Sequence, residues 1–130
     1  MQVLLVEDDA MNRRVVRDML TVGGVDLVEA TDAMTGLSLI DRTAFDVILM
    51  DLRMPGMDEL TAIAHIRARE DAKATIPIIV VTADTAPNLR DRCLAGGADE
   101  LLLKPVAMQA LFETIGRVCT SRAPSDTLLI

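Results

Sequence analysis

Three short runs in this chain, VLLV (residues 3–6), DVILM (46–50) and IPIIVV (76–81), are almost unbroken apolar sequence. Strands that lack polar alternation are strands covered on both faces, and that condition is met by a parallel sheet sandwiched between helices. The intervening sequence agrees. VLLV is followed by a helical stretch with Met11, Val15, Val16, Met19 and Leu20 on one side, which stops at Gly23-Gly24. DLVEA (26–30) precedes a helix from Ala33 to Asp41, and DVILM precedes one from Glu59 to Arg69. IPIIVV precedes a helix ending at Gly96-Gly97, and ELLL (100–103) precedes a helix from Ala107 to Cys119. Five β-α units therefore predict an α/β fold with a five-stranded parallel sheet and helices on both faces. The second strand carries Asp26 and Glu29, so it is expected at an edge. Residues 1–120 are expected to form one domain, and SRAPSDTLLI (121–130), with Pro, Ser and Thr and no helical period, a frayed tail.

Charge and composition remove several classes of function. Thirteen Lys and Arg against twenty Asp and Glu give a formal charge of -7, which repels polyanions. Two Phe, no Trp and no Tyr leave no aromatic platform for base stacking, so direct nucleic-acid binding is not expected. Cys93 and Cys119 stand apart from each other and from any Cys/His array, and read as ordinary free thiols. No apolar run reaches the ~18 to 20 residues of a membrane span, and no signal peptide opens the chain. A cytoplasmic protein without membrane contact is the expectation.

In an open parallel sheet, ligands gather beyond the carboxyl ends of the strands. The residues at those ends are Glu7, Asp8 and Asp9 after the first strand, Asp51 after the third, Thr82 after the fourth, and Lys104 and Pro105 after the fifth. Each has a plain alternative: Asp8 or Asp9 as a helix cap, Thr82 as a β-former, Lys104 as a solvated lysine. Asp51 resists that treatment, because it continues an apolar strand and must be partly shielded from water. Carboxylates converging at one mouth repel by about 4 kcal/mol per close pair at ~4 Å and an effective dielectric of ~20. A hard cation such as Mg²⁺ relieves that repulsion and leaves positions open to phosphoryl oxygens, while a lysine and a threonine supply donors to an anion. Metal, carboxylate nucleophile, hydroxyl and ammonium together describe a phosphoryl-transfer site.

The pieces LLVEDD (4–9), ILMDLRMPGMD (48–58), VVTA (80–83) and AGGADELLLKP (95–105), in that order on five β-α units, resemble the receiver domain of two-component response regulators along residues 2–120. The resemblance implies a flavodoxin-like receiver fold with strand order 2-1-3-4-5. It implies that Asp51 is the phosphoacceptor, taking phosphorus from a phosphohistidine on a sensor histidine kinase or a histidine phosphotransfer protein. Asp8 and Asp51 would ligate Mg²⁺ directly, with the backbone carbonyl of Arg53 as a third ligand and Glu7 acting through a water. Asp9 falls one place beyond the acidic pair and is expected to cap the helix. Thr82 matches the switch hydroxyl and Lys104 its cationic partner; Pro105 matches a position that usually follows a cis peptide, and Met54, Pro55 and Gly56 match the loop shaping the site. Arg53 and Asp84 match positions that tune hydrolysis of the aspartyl phosphate. Met11, Asn12 and Val15 are the expected contact with a histidine-bearing helical bundle.

The chain also departs from that pattern. Leu101 stands where the family often has Tyr or Phe, which puts aromatic-switch signalling in doubt. Glu59 stands where a glycine is common. RDRCLAGGADELLLKPV (90–106) looks more like receivers of hybrid sensor kinases than those fused to DNA-binding domains. Two other readings compete: a pseudo-receiver that binds partners without being phosphorylated, against which Asp8, Asp51, Thr82 and Lys104 argue as a set, and an aspartate-nucleophile phosphatase, whose second aspartate is replaced here by Arg53. His65, in AIAHIRA, reads as a structural histidine, and the downstream partner is an unspecified protein.

Overall fold

The structure, a computed structural model, describes residues 1–51 and 59–121. Arg53, Met54, Pro55 and Gly56, and the tail beyond Ser121, lie outside the described residues. The elements run β1 (Gln2–Glu7), α1 (Ala10–Val22), β2 (Asp26–Ala30), α2 (Ala33–Arg42), β3 (Val47–Asp51) and α3 (Glu59–Arg67). A 3-10 turn (Ala72–Thr75) then leads to β4 (Ile78–Thr82), α4 (Leu89–Ala95), β5 (Glu100–Leu103) and α5 (Met108–Ser121). The strands form one parallel sheet in the order β2-β1-β3-β4-β5, with β2 at an edge as its charges require.

The apolar runs are continuous because both faces are indeed covered. Leu4, Val6, Ile48, Met50, Ile78 and Val80 point toward Ala33 and Ile40 of α2, Ile63 and Ile66 of α3, and Cys93 of α4. The alternate residues Val3, Leu5, Val47, Leu49, Ile79 and Val81 point toward Val16 and Leu20 of α1 and Leu111, Ile115 and Val118 of α5. Cys93 is buried in the first layer and Cys119 is half-buried; both are free thiols. Among the described residues, no helix is long and apolar enough to cross a membrane.

Two element boundaries are corrected, and the apolar side of α1 divides: Val16 and Leu20 are buried, while Met11 is 74% and Val15 48% exposed. One residue step turns about 100° around a helix, enough to carry Val15 off the surface that Val16 buries. The fourth strand starts at Ile78 rather than Ile76, because Pro77 has no N–H for the ladder and contributes only its carbonyl, which accepts from the Ile48 N–H at 2.9 Å. Helix α3 stops at Arg67 rather than Arg69, and Asp71 starts the 3-10 turn by accepting from the Lys73 N–H.

The Arg67 side chain closes the end of the sheet remote from the strand exits. Its Nε donates to Gly97 O at 2.9 Å, its Nη1 to Ala74 O at 2.8 Å and Ile76 O at 2.7 Å, and its Nη2 pairs with Asp99 at 3.1 Å. Gly97 is required on two counts, since its φ is +117° and a Cβ there would lie 2.8 Å from Arg67 Cγ.

Candidate functional site

Strand register makes the site. Glu7 and Asp51 are the last residues of β1 and β3 and are direct partners across that parallel pair, so two carboxylates leave the sheet side by side. The apolar runs carry them inward: each is only 2% exposed. They belong to the strands rather than to the loops beyond, which is why they are better shielded than residues merely following a strand.

Lys104 answers both. Its Nζ donates to Glu7 Oε1 at 2.6 Å and to Asp51 Oδ2, and its side chain is 12% exposed. The lysine is steered there from β4, because its own N–H donates to Thr82 O at 2.9 Å. The Lys104–Pro105 peptide is cis. Burial alone would lower the pKa of this ammonium; its hydrogen bonds to Asp51 and Glu7 outweigh that and hold it above its ordinary value. Burial raises the Glu7 pKa to about 7, with the Lys104 hydrogen bond opposing and the Asp51 charge adding to the rise.

The neighbouring residues frame this pair. Asp8 is half-buried and Asp9 exposed. Asp9 caps α1 by accepting from the Asn12 N–H at 2.8 Å, so it serves the helix, while its own N–H donates to Glu7 Oε2 at 3.2 Å. Thr82, 1% exposed, ends β4, and its hydroxyl oxygen accepts from the Asp84 N–H at 3.1 Å. Asp84 is exposed, and its Oδ1 accepts from the Ala86 N–H at 2.9 Å. Leu101 packs against the layer built by α2, α3 and α4. Glu59 begins α3, and His65 is exposed on that helix.

A groove of about 260 Å³ adjoins the site, with Asn12, Val15 and Met19 of α1 on one wall and Lys104, Pro105 and Val106 on the other. Met11 stands exposed one residue before Asn12. The structure thus brings Glu7, Asp51 and Lys104 into contact, with Thr82 at the next strand end and Asn12 and Val15 close by. Arg53, Met54 and Pro55 lie outside the described residues.

Sequence reading missed two contacts. It assigned Lys104 to an anion and not to Glu7, 97 residues away. It also passed over Arg13, whose Nη1 donates to Glu7 O at 3.2 Å and whose Nε lies 3.5 Å from Glu29. The signal for Arg13 was its place one helical turn after the cap residue Asp9.

The donor set suits Mg²⁺, which takes carboxylate oxygens and needs only one or two from the protein. Among the described residues no three His, Cys, Asp or Glu side chains converge on one point. Glu7 and Asp51, buried and side by side with half-buried Asp8 next in the chain, nevertheless offer carboxylate oxygens of the kind a hard cation takes.

Comparison with known proteins gives a consistent picture. A family model described as the response regulator receiver domain matches residues 3–116. The sensor histidine kinase AruS of Pseudomonas aeruginosa is 40% identical over 123 residues, 93% of this chain and 12% of that protein. The sensor histidine kinase RcsC of Salmonella typhi is 35% identical over 115 residues, 88% of this chain and again 12% of the relative. The chain therefore spans about an eighth of these curated relatives. Among solved structures, the receiver domain of the sensor histidine kinase PA1611 from Pseudomonas aeruginosa, with a magnesium ion coordinated in its active-site cleft, superposes with a TM-score of 0.82 at 33% identity, covering 92% of this chain and 97% of that one. Fold, strand order and sequence agree, and the chain belongs to the response regulator receiver domain family.

Proposed function

We propose that this receiver accepts a phosphoryl group from a phosphohistidine onto Asp51, with Mg²⁺ as cofactor, and signals through contacts with other proteins. The observation that carries the reading is the buried Asp51 carboxylate at the exit of β3, flanked by Glu7 and held by Lys104. Asp8 and Asp51 would hold the cation directly, with the Arg53 carbonyl, and Glu7 through a water. Bound Mg²⁺ supplies neutralisation of the carboxylates and the phosphoryl oxygens.

The chain's own groups do the rest. An Asp51 oxygen attacks phosphorus in line with the histidine nitrogen; the P–O bond forms as the P–N bond breaks. The electron pair goes to the imidazole, whose other nitrogen carries a proton, so a neutral histidine leaves. Lys104 exchanges Asp51 Oδ2 for a phosphoryl oxygen, which frees the nucleophile and keeps the ammonium paired. The Thr82 hydroxyl accepts from the Asp84 N–H, so its own proton remains free to be donated to the phosphoryl group. Pro105 borders the groove beside Lys104, and the receiver reading gives Met54 and Pro55 the role of shaping the mouth. The donor, a sensor histidine kinase or a histidine phosphotransfer protein, docks on Met11, Asn12 and Val15. The kinship with sensor histidine kinases favours a receiver of the hybrid-kinase type.

The test is incubation with acetyl phosphate and Mg²⁺ followed by intact mass measurement. A single added phosphate that is lost in Asp51→Asn is expected. No adduct on the wild-type chain across pH and time overturns the reading in favour of a binding module that is never phosphorylated.

A further inference from the structure

Arg13 touches the backbone of the site. It leaves the first turns of α1 and donates from Nη1 to the backbone carbonyl of Glu7 at 3.2 Å. Its Nε lies 3.5 Å from Glu29 on β2, which also accepts from Arg17 Nη1 at 3.3 Å. Glu7 O lies where the β1–β2 ladder has run out, since the last register pair is Val6 with Ala30. The guanidinium therefore takes a strand-end carbonyl that the sheet itself no longer holds. That carbonyl belongs to the Glu7–Asp8 peptide, whose plane sets the direction in which Asp8 leaves the strand.

Resting on the receiver reading above, we propose that Arg13 is a positioning residue: anchored by Glu29, it fixes the Glu7–Asp8 peptide and so holds Asp8 ready for the divalent cation. Arg fits this role where Lys would not, because a planar fork can serve the carbonyl and the carboxylate at once. A group that orients a metal ligand from outside typically changes metal affinity by about ten- to a hundredfold when removed.

Charge alone predicts the opposite effect. Removing a cation near a metal site should tighten binding of Mg²⁺, so weaker binding isolates the positional role. The experiment titrates Mg²⁺ into wild type, Arg13→Met, Arg13→Lys and Arg17→Met, read by calorimetry and by the amide signals of residues 7–9. Arg17→Met removes the same charge from Glu29 without touching Glu7 O. Arg13→Met is expected to bind Mg²⁺ about tenfold more weakly. Arg13→Lys should shift in the same direction, and Arg17→Met should bind as tightly as wild type or more so. In acetyl phosphate reactions the Arg13 variants should need more Mg²⁺ for half-maximal rate yet approach the wild-type maximum when saturated, a split that general loss of structure does not produce. Wild-type affinity in either folded Arg13 variant, or equal weakening in Arg17→Met, overturns the role of Arg13 and leaves the receiver reading standing. A wild-type chain that binds no Mg²⁺ and gains no phosphate overturns both.

Discussion

Asp84 lies two places after Thr82, and its backbone and side chain face different tasks. Its N–H holds the Thr82 hydroxyl oxygen, and its Oδ1 accepts from the Ala86 N–H. The carboxylate thus stiffens the loop that follows Thr82, and on the proposed phosphoacceptor reading it would hinder water attacking a phosphorylated Asp51. Asp84→Ala removes about 1 kcal/mol of side-chain hydrogen bonding, equivalent to about fivefold in rate, so the phosphorylated chain should lose its phosphate about that much faster. An unchanged dephosphorylation rate, followed by intact mass after removal of donor, would count against the idea. At this scale the sequence was informative where a residue's position in a strand dictated its surroundings. Asp51 had to be shielded because it ends an apolar run. The Lys104 contact with Glu7 was not legible, because it depends on how the loop after β5 crosses two strands, and no local pattern encodes that path.

Element α1 shows where periodicity misleads. Met11, Val15, Val16, Met19 and Leu20 read as one apolar side, yet the helix buries Val16 and Leu20 and leaves Met11 and Val15 outside. Hydrophobic spacing reports that a helix is amphipathic and not which apolar residues its neighbours will cover. Val15 lines the groove beside Lys104 and Pro105, Met11 stands exposed one helical turn before it, and the proposed function docks its phosphodonor there. Val15→Glu should weaken binding of a histidine phosphotransfer bundle by about fivefold or more while leaving thermal unfolding unchanged, since truncating or charging an interface anchor costs more than about 1 kcal/mol. Unaltered affinity would move the docking surface elsewhere. The strands, by contrast, were legible because two-sided burial leaves an almost pure apolar signature. The 3-10 turn at Ala72–Thr75 was not, since four residues carry no period and rest on Asp71 accepting from the Lys73 N–H.

Across the whole molecule, Glu100 ties the last strand to two helices. Its Oε1 lies 2.8 Å from Arg90 Nη2 of α4 and its Oε2 lies 3.0 Å from Arg117 Nη2 of α5. Burial would raise its pKa, but the Leu101 N–H and the Arg90 and Arg117 charges overcome that and leave it lowered. A carboxylate with a lowered folded pKa contributes stability above its unfolded pKa, about 4.3 for Glu, and loses it as pH falls through the folded value. Wild type should therefore exceed Glu100→Gln in urea midpoint at neutral pH, and the gap should close on acidification below about pH 4. A gap that stays constant with pH would remove the ionised carboxylate from the explanation.

A related arrangement occurs at the opposite border of the sheet, where Glu29 of β2 is held by Arg13 and Arg17, both of α1. Each outermost strand thus carries one glutamate paired with two arginines, from α4 and α5 at β5 and from α1 alone at β2. An incoming strand from another molecule would have to pair beside those charges and disturb them. Long-lived edges are where parallel sheets self-associate, and charged borders of this kind keep neighbouring copies from zipping together into aggregates.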